Sequence, residues 1–390
     1  MSNDRFTETT NTGWFSRIGS SIIGVLAGVV LVLIAIGLLW WNEGRSVATA
    51  KGLTEGAKVT MEAEAGVVDP AKEGQLVHVI GKTTLETPAE DEMFGVTGPD
   101  LLKLRRIVEV YQWVEETKQT QRTKLGGGEE TITEYSYTKK WDDELHDSAE
   151  FKRPQGHENV KAKVEAASFQ ATEVSLGAFR LPEFLLTQWQ DFQPHPLPDP
   201  ETLPDSLRDT ATVQEKWLVL SETPAAPVSG DARVQFESMK PGEISVLARQ
   251  VQDTFEEYTT KQETTIGRLA TGAQSKEAMY ASAETENTIM AWLLRLGGFL
   301  AMLVGIMLLF RPLKVLADVL PFAGKIVGAG TGFIAFLLSG IGSLTIIALA
   351  WVWYRPLLGV GLLVVAAVGI YWVKKAVKPR VVVPPQIPAM

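Results

Sequence analysis

From Ile22 to Trp41 the chain carries twenty consecutive residues without a charge. Three more apolar stretches crowd the other end, around Trp292–Phe310, Ile326–Tyr354 and Leu357–Val373. A helix needs about 20 residues to cross a hydrocarbon core, and each stretch is that long or nearly so. Few folds tolerate such segments in water. The reading that follows is a multipass α-helical membrane protein with one N-terminal and three C-terminal spans. Between them lies a large extramembrane domain.

The segmentation expected on this basis is a cytoplasmic tail over 1–21, a first span over 22–41 and the extramembrane domain over 42–274. A helix over 275–310 leads into the second span. An amphipathic cytoplasmic loop follows over 311–325, then spans over 326–354 and 357–373, and a basic tail over 374–390. A cleavable signal is the rival for the first span, because Ala48-Thr49-Ala50 resembles a small-residue cleavage site. The apolar run exceeds a signal core of about 7–15 residues, however, and Trp40 and Trp41 form an interfacial belt.

Charge sets the expected sidedness. Lys374, Lys375, Lys378 and Arg380 follow the last span with no acid among them, which marks a cytoplasmic tail. Counting back through four spans puts Arg311, Lys314, Lys325 and the N-terminus on the same side. The domain would then be luminal or periplasmic. In a bacterium the host would be the inner membrane. The net charge of −9 is concentrated in the middle, where residues 42–288 hold 26 basic and 43 acidic side chains. Such a domain is a poor match to nucleic acid. With no cysteine in the chain, disulfides and thiolate metal sites are excluded.

Two-fold periodicity in the middle predicts strands, hence a β-rich domain, either α+β or mostly β. Leu104–Glu116 and Thr131–Trp141 read as one long hairpin. Gly126-Gly127-Gly128 between them supplies the positive φ angles of a reversal. Further strands are expected at Gln75–Thr84, Ala167–Leu176, Lys216–Ser221, Ala232–Glu237 and Ile244–Val251. A short helix is expected at Pro182–Gln190 and an ordered loop at Pro194–Pro204. From Ser275 a helical pattern runs without proline to Pro312. Leu320-Pro321-Phe322 is expected to break any helix in the loop.

No catalytic constellation stands out, and an enzyme is not expected. Gly81-Lys82-Thr83 resembles the end of a phosphate-binding loop, but the glycine required five positions earlier is Leu76. His78, His146, His157 and His195 lack metal-ligand spacing. Neither a cofactor nor a metal site is expected. The spans say more. Gly324, Gly328 and Gly332 recur every four residues, and Ser339 and Ser343 continue the small-residue theme. In lipid, small residues let helices approach closely. The stripe is a candidate surface for a neighbouring span or for oligomerisation. Arg295 is an intramembrane charge. It is costly unless it snorkels past Trp292 to the interface, the expected solution, or finds a partner inside the bundle. No acid is expected inside any span.

Several strings resemble the transmembrane protein 43 family, also called LUMA. They are Asn42-Glu43-Gly44-Arg45, Glu73-Gly74, Leu76-Val77-His78 through Ile80-Gly81, and Leu104-Arg105-Arg106. Glu109, Tyr111-Gln112-Trp113-Val114-Glu115, Tyr135-Ser136-Tyr137 and Trp141 follow. Ala248-Arg249-Gln250 and Tyr354-Arg355-Pro356-Leu357 complete the series. The resemblance implies an endomembrane multipass protein that self-associates and organises the nuclear envelope, with emerin- and lamin-type partners only in a eukaryote. It brings no catalytic residues. The function expected is a membrane scaffold that self-associates, bound to the lipid bilayer and to other membrane proteins. The alternative is a channel or transport component.

Overall fold

The computed structural model describes residues 4–357 and 361. The expected fourth span at Leu357–Val373 and the basic tail lie almost wholly outside them. Among the described residues, three helices are long and apolar enough to cross a membrane: α1 (Trp14–Val59), α2 (Lys276–Ala317) and α3 (Pro321–Tyr354). The chain divides into two compact units. One is β-rich and holds Lys51–Thr285 with the short segments Met1–Arg17 and Asp318–Pro321; the other holds the apolar helices.

The strands of the β-rich unit that position its parts are β1 (Arg5–Thr12), β2 (Met61–Glu64), β3 (Leu76–Thr84), β4 (Lys103–Thr123) and β5 (Glu129–Asp142). They continue with β6 (Ala211–Gln214), β7 (Trp217–Leu220), β8 (Ala232–Met239), β9 (Glu243–Val251) and β10 (Arg268–Thr271). One sheet runs in the order β1-β5-β4-β8-β7-β6, every pair antiparallel. In a second, β9 pairs with both β10 and β3, and β2 lies parallel to β3. Each sheet has its own core. The first buries Leu104, Val108, Val110, Leu218, Val234 and Phe236, alternate residues of adjacent strands as a pleated sheet requires. The second buries Val77, Val79, Phe179, Ile244, Val246 and Phe255.

The hairpin expected at 104–141 is present and longer than the pattern suggested, with fourteen residue pairs from Val110–Asp142 to Thr123–Glu129. Gly126 and Gly127 take the positive φ angles of its turn, +86° and +80°. The other expected strands form within a residue or two, except that Ala167–Leu176 is broken into Ala167–Gln170 and Ser175–Leu176. The short helix covers Glu183–Leu186.

Four expectations give way. Helix α2 continues through Pro312 to Ala317, and α3 starts at Pro321. The expected amphipathic loop over 311–325 is thus mostly helix, leaving a turn at 318–320. Pro321 opens a helix because its missing N–H is an orphan donor at the first helical position anyway. The first helix is 46 residues long, far beyond 22–41. The expected cytoplasmic tail over 1–21 is largely a β-strand and the first turns of α1. Residues 5–12 pair with 136–129 along the whole of β1. The Gly126 N–H donates to the Val319 carbonyl, and Arg17 pairs with Asp318 at 2.6 Å and Glu129 at 3.2 Å. β1, the hairpin tip and the 318–321 turn thus form one hydrogen-bonded and ion-paired group.

Candidate functional site: a buried polar cluster among the apolar helices

The polar side chains of the helical unit gather just past the apolar run of α1, at Asn42-Glu43-Gly44-Arg45. Helical spacing brings these residues to α2 and α3 in turn. Glu43 is fully buried, and its carboxylate accepts from Arg295 Nε at 2.6 Å, Arg295 Nη2 at 2.9 Å and Trp351 Nε1 at 2.7 Å. One carboxylate on α1 thus ties α2 and α3 together. The Arg295 guanidinium lies 4.8 Å from the Trp292 ring centroid and 5.8 Å from that of Trp351, within cation–π range.

Its neighbours extend the network. Asn42, also fully buried, donates to the Ala291 carbonyl at 3.0 Å. Arg45 donates to the Asn42 side-chain oxygen at 3.3 Å and to that of Asn287 at 3.1 Å. Asn287 donates back to the Ser46 carbonyl at 2.9 Å. A Cβ on Gly44 would sit 2.7 Å from the Tyr354 ring, so any larger residue there would push that ring aside. Every residue of the four-residue string therefore has a contact that fixes its identity.

One expectation is corrected. Arg295 does not snorkel past Trp292; it is paired, and Trp292 stacks on the pair. Its partner, Glu43, follows the apolar run in sequence yet lies inside α1 and is sealed by two other helices. The signal was available. A costly lone arginine in one span implies a carboxylate at matching depth in an antiparallel neighbour.

The small-residue stripe divides. A Cβ on Gly328 would lie 3.4 Å from the aliphatic part of Lys314 on α2. Gly324, Ser339 and Ser343 are buried, and Ser343 Oγ meets Met302 Sδ of α2 at 3.6 Å. Gly332 has open space where a side chain would go. A close helix approach lies off the stripe. A Cβ on Gly28 would lie 2.7 Å from the Gly305 carbonyl oxygen, and one on Gly298 would lie 2.6 Å from Leu39. Glycines on α1 and α2 thus let those helices touch backbone to backbone.

The four histidines fall into separate local networks of the β-rich unit. His78 meets Glu62 at 2.7 Å, His157 meets Asp4 at 2.8 Å, His146 meets Asp142 at 3.3 Å and His195 meets Ser238 at 3.0 Å. A second buried ion pair holds the first sheet: Arg106 Nη1 donates to both Asp91 oxygens at 3.0 and 2.7 Å.

A family model described as transmembrane protein 43 matches residues 110–356. The chain is 32% identical to the rat transmembrane protein 43 over 368 residues, 90% of each chain. It is 32% identical to the human protein over 365 residues, 90% of this chain and 89% of the human one. It is 26% identical to the fruit-fly homolog over 367 residues, 89% of this chain and 93% of the fly one. No solved structure matches significantly. With a matched family model across more than half its length and relatives aligned nearly end to end, the chain belongs to the transmembrane protein 43 family.

Proposed function

We propose that this chain is a structural membrane protein that self-associates and organises other membrane proteins around it. The observation that carries this reading is the closure of the Glu43 cluster. A transport path needs a charge that can change partners, and a catalytic site needs a group free to react. Glu43, Arg295 and Trp351 instead satisfy one another and hold three helices in register. The polar residues within the helices thus serve packing.

The surface for self-association on this reading is the face of α3 left open among the described residues. Gly330, Gly332 and Gly340 have no atom within 4 Å of a would-be Cβ, and Phe333, Leu337 and Ile341 are exposed beside them. Partners would be a second copy and other membrane proteins, emerin- or lamin-type only where a nuclear envelope exists. By the positive-inside rule the sides carrying Arg311, Lys314, Lys325 and the C-terminal lysines are cytoplasmic. The Arg17–Asp318 contact supports placing the start of α1 there too.

The test is native-detergent mass measurement of the full chain. Gly332→Leu should reduce the oligomer while the thermal midpoint stays unchanged. A monomeric parent protein, or an oligomer unmoved by the substitution, would contradict the proposal. Ion or solute flux in liposomes above that of empty vesicles would favour a channel instead.

A further inference from the structure

Three cations in the helical unit converge on one cavity and have no acid to answer them. The cavity, about 550 Å³, opens between the Pro321 half of α3 and the Ala317 half of α2. Its walls are apolar, with Leu308 and Phe310 on α2 and Gly328 on α3. Arg311, Lys314 and Lys325 line it as well. None of the three makes an ion pair or side-chain hydrogen bond among the described residues. The sequence explains why. From Thr288 to Met390 the only carboxylate side chain is Asp318. Asp318 is buried and held by Arg17 at 2.6 Å. The remaining charges of that stretch, Arg295, Arg355 and the C-terminal lysines and arginine, are also positive, and Arg295 takes Glu43.

We propose that this cavity binds an anionic phospholipid. The three cations would take the phosphate-bearing headgroup, and the apolar wall would take the upper part of an acyl chain. The argument is charge complementarity. Three unanswered cations beside hydrocarbon attract a ligand that is anionic at one end and apolar at the other. Basic pockets between helices on the cytoplasmic side bind such headgroups, each cation contributing about 1 kcal/mol, or roughly fivefold in affinity. The volume lies within the ~300–1,000 Å³ usual for a ligand pocket. The glycine wall gives the chain room: a Cβ at Gly328 would already lie 3.4 Å from Lys314. Gly332, the residue the scaffold test changes, lines this cavity too; the lipid test changes only the three cations, so the two readings fail separately.

The experiment is native mass spectrometry of the full chain titrated with phosphatidylglycerol or with phosphatidylcholine of the same acyl chains. The anionic lipid should bind at least tenfold more tightly. Arg311→Gln/Lys314→Gln/Lys325→Gln should abolish that preference while the thermal midpoint is kept. If the triple variant fails to fold, Lys325→Gln alone should lower the preference about fivefold. Inorganic phosphate at millimolar concentration should leave the lipid bound. Equal affinity for the two lipids, or a preference untouched by the substitutions, would overturn the proposal. So would displacement of lipid by free phosphate, which would reassign the site to a small anion.

Discussion

Glu43 and Arg295 meet carboxylate to guanidinium through two hydrogen bonds, 2.6 and 2.9 Å long, with Glu43 wholly sealed from solvent. Neither charge is well tolerated alone once buried: removing one partner of a buried pair costs about 3–5 kcal/mol. The pair therefore specifies which helices meet and at what register more than it adds net stability.

The close approach of α1 to α2 predicts a position-specific sensitivity. At Gly305 a Cβ would lie 3.0 Å from the Gly28 carbonyl and 2.8 Å from a Val32 methyl. Backbone cannot yield as a flexible side chain can. Gly305→Leu should destabilise the protein by about 1–3 kcal/mol, the usual range for overpacking. Gly330→Leu, with open space around it, should change the thermal midpoint little. Differential scanning calorimetry in detergent reads both. Equal midpoints for the two variants would argue against the contact.

His195 gives the β-rich unit a pH dependence. Burial holds its pKa below the ordinary value, and Lys240 adds to the effect while Asp100 opposes it. The unfolded chain therefore binds a proton that the folded one resists. Stability is complete above the unfolded pKa of about 6.5 and falls as pH drops below it toward the depressed folded value. His195→Gln keeps a polar partner for Ser238 and should flatten the fall in thermal midpoint between pH 7 and 5. A slope unchanged by the substitution would remove His195 as its source.

The chain's freedom from cysteine makes the β1–β5 ladder directly testable. Thr10 and Thr131 are facing partners in antiparallel strands, where Cα atoms lie about 4.5–5.5 Å apart, within disulfide reach. Thr10→Cys/Thr131→Cys should cross-link under mild oxidation and shift on a non-reducing gel. Thr10→Cys/Leu125→Cys should not cross-link. Failure of the first pair, with both thiols reactive to maleimide, would separate β1 from β5.

How much of this was legible in the sequence varies with the kind of signal. The β4–β5 hairpin was, because Val, Ile, Tyr and Trp alternate along Leu104–Glu116 and three glycines mark the turn. β1 was not. Its RFTETTNT run holds a single apolar residue, Phe6, so no alternation betrays it; it forms a strand against the edge that β5 offers. The extent of α2 was misjudged at Pro312, where loss of one hydrogen bond does not outweigh a helix continuing on both sides. Arg295 stood out because a lone charge in an apolar run is expensive. Its partner did not, since Glu43 looks like the first residue beyond a span until the antiparallel register of α1 and α2 is known. The glycine stripe on α3 was visible as a pattern, but its division between α2 and open space is a tertiary fact.

The most direct test of the central claim is a double-mutant cycle on Glu43→Gln and Arg295→Gln, read by thermal unfolding of the full chain in detergent. A real pair predicts that each single variant strands a buried charge, while the double variant regains much of the loss. The coupling energy should be at least about 1–2 kcal/mol. Additive single effects, with coupling near zero, would mean that the arginine reaches solvent on its own and that Glu43 does not bind the helices together.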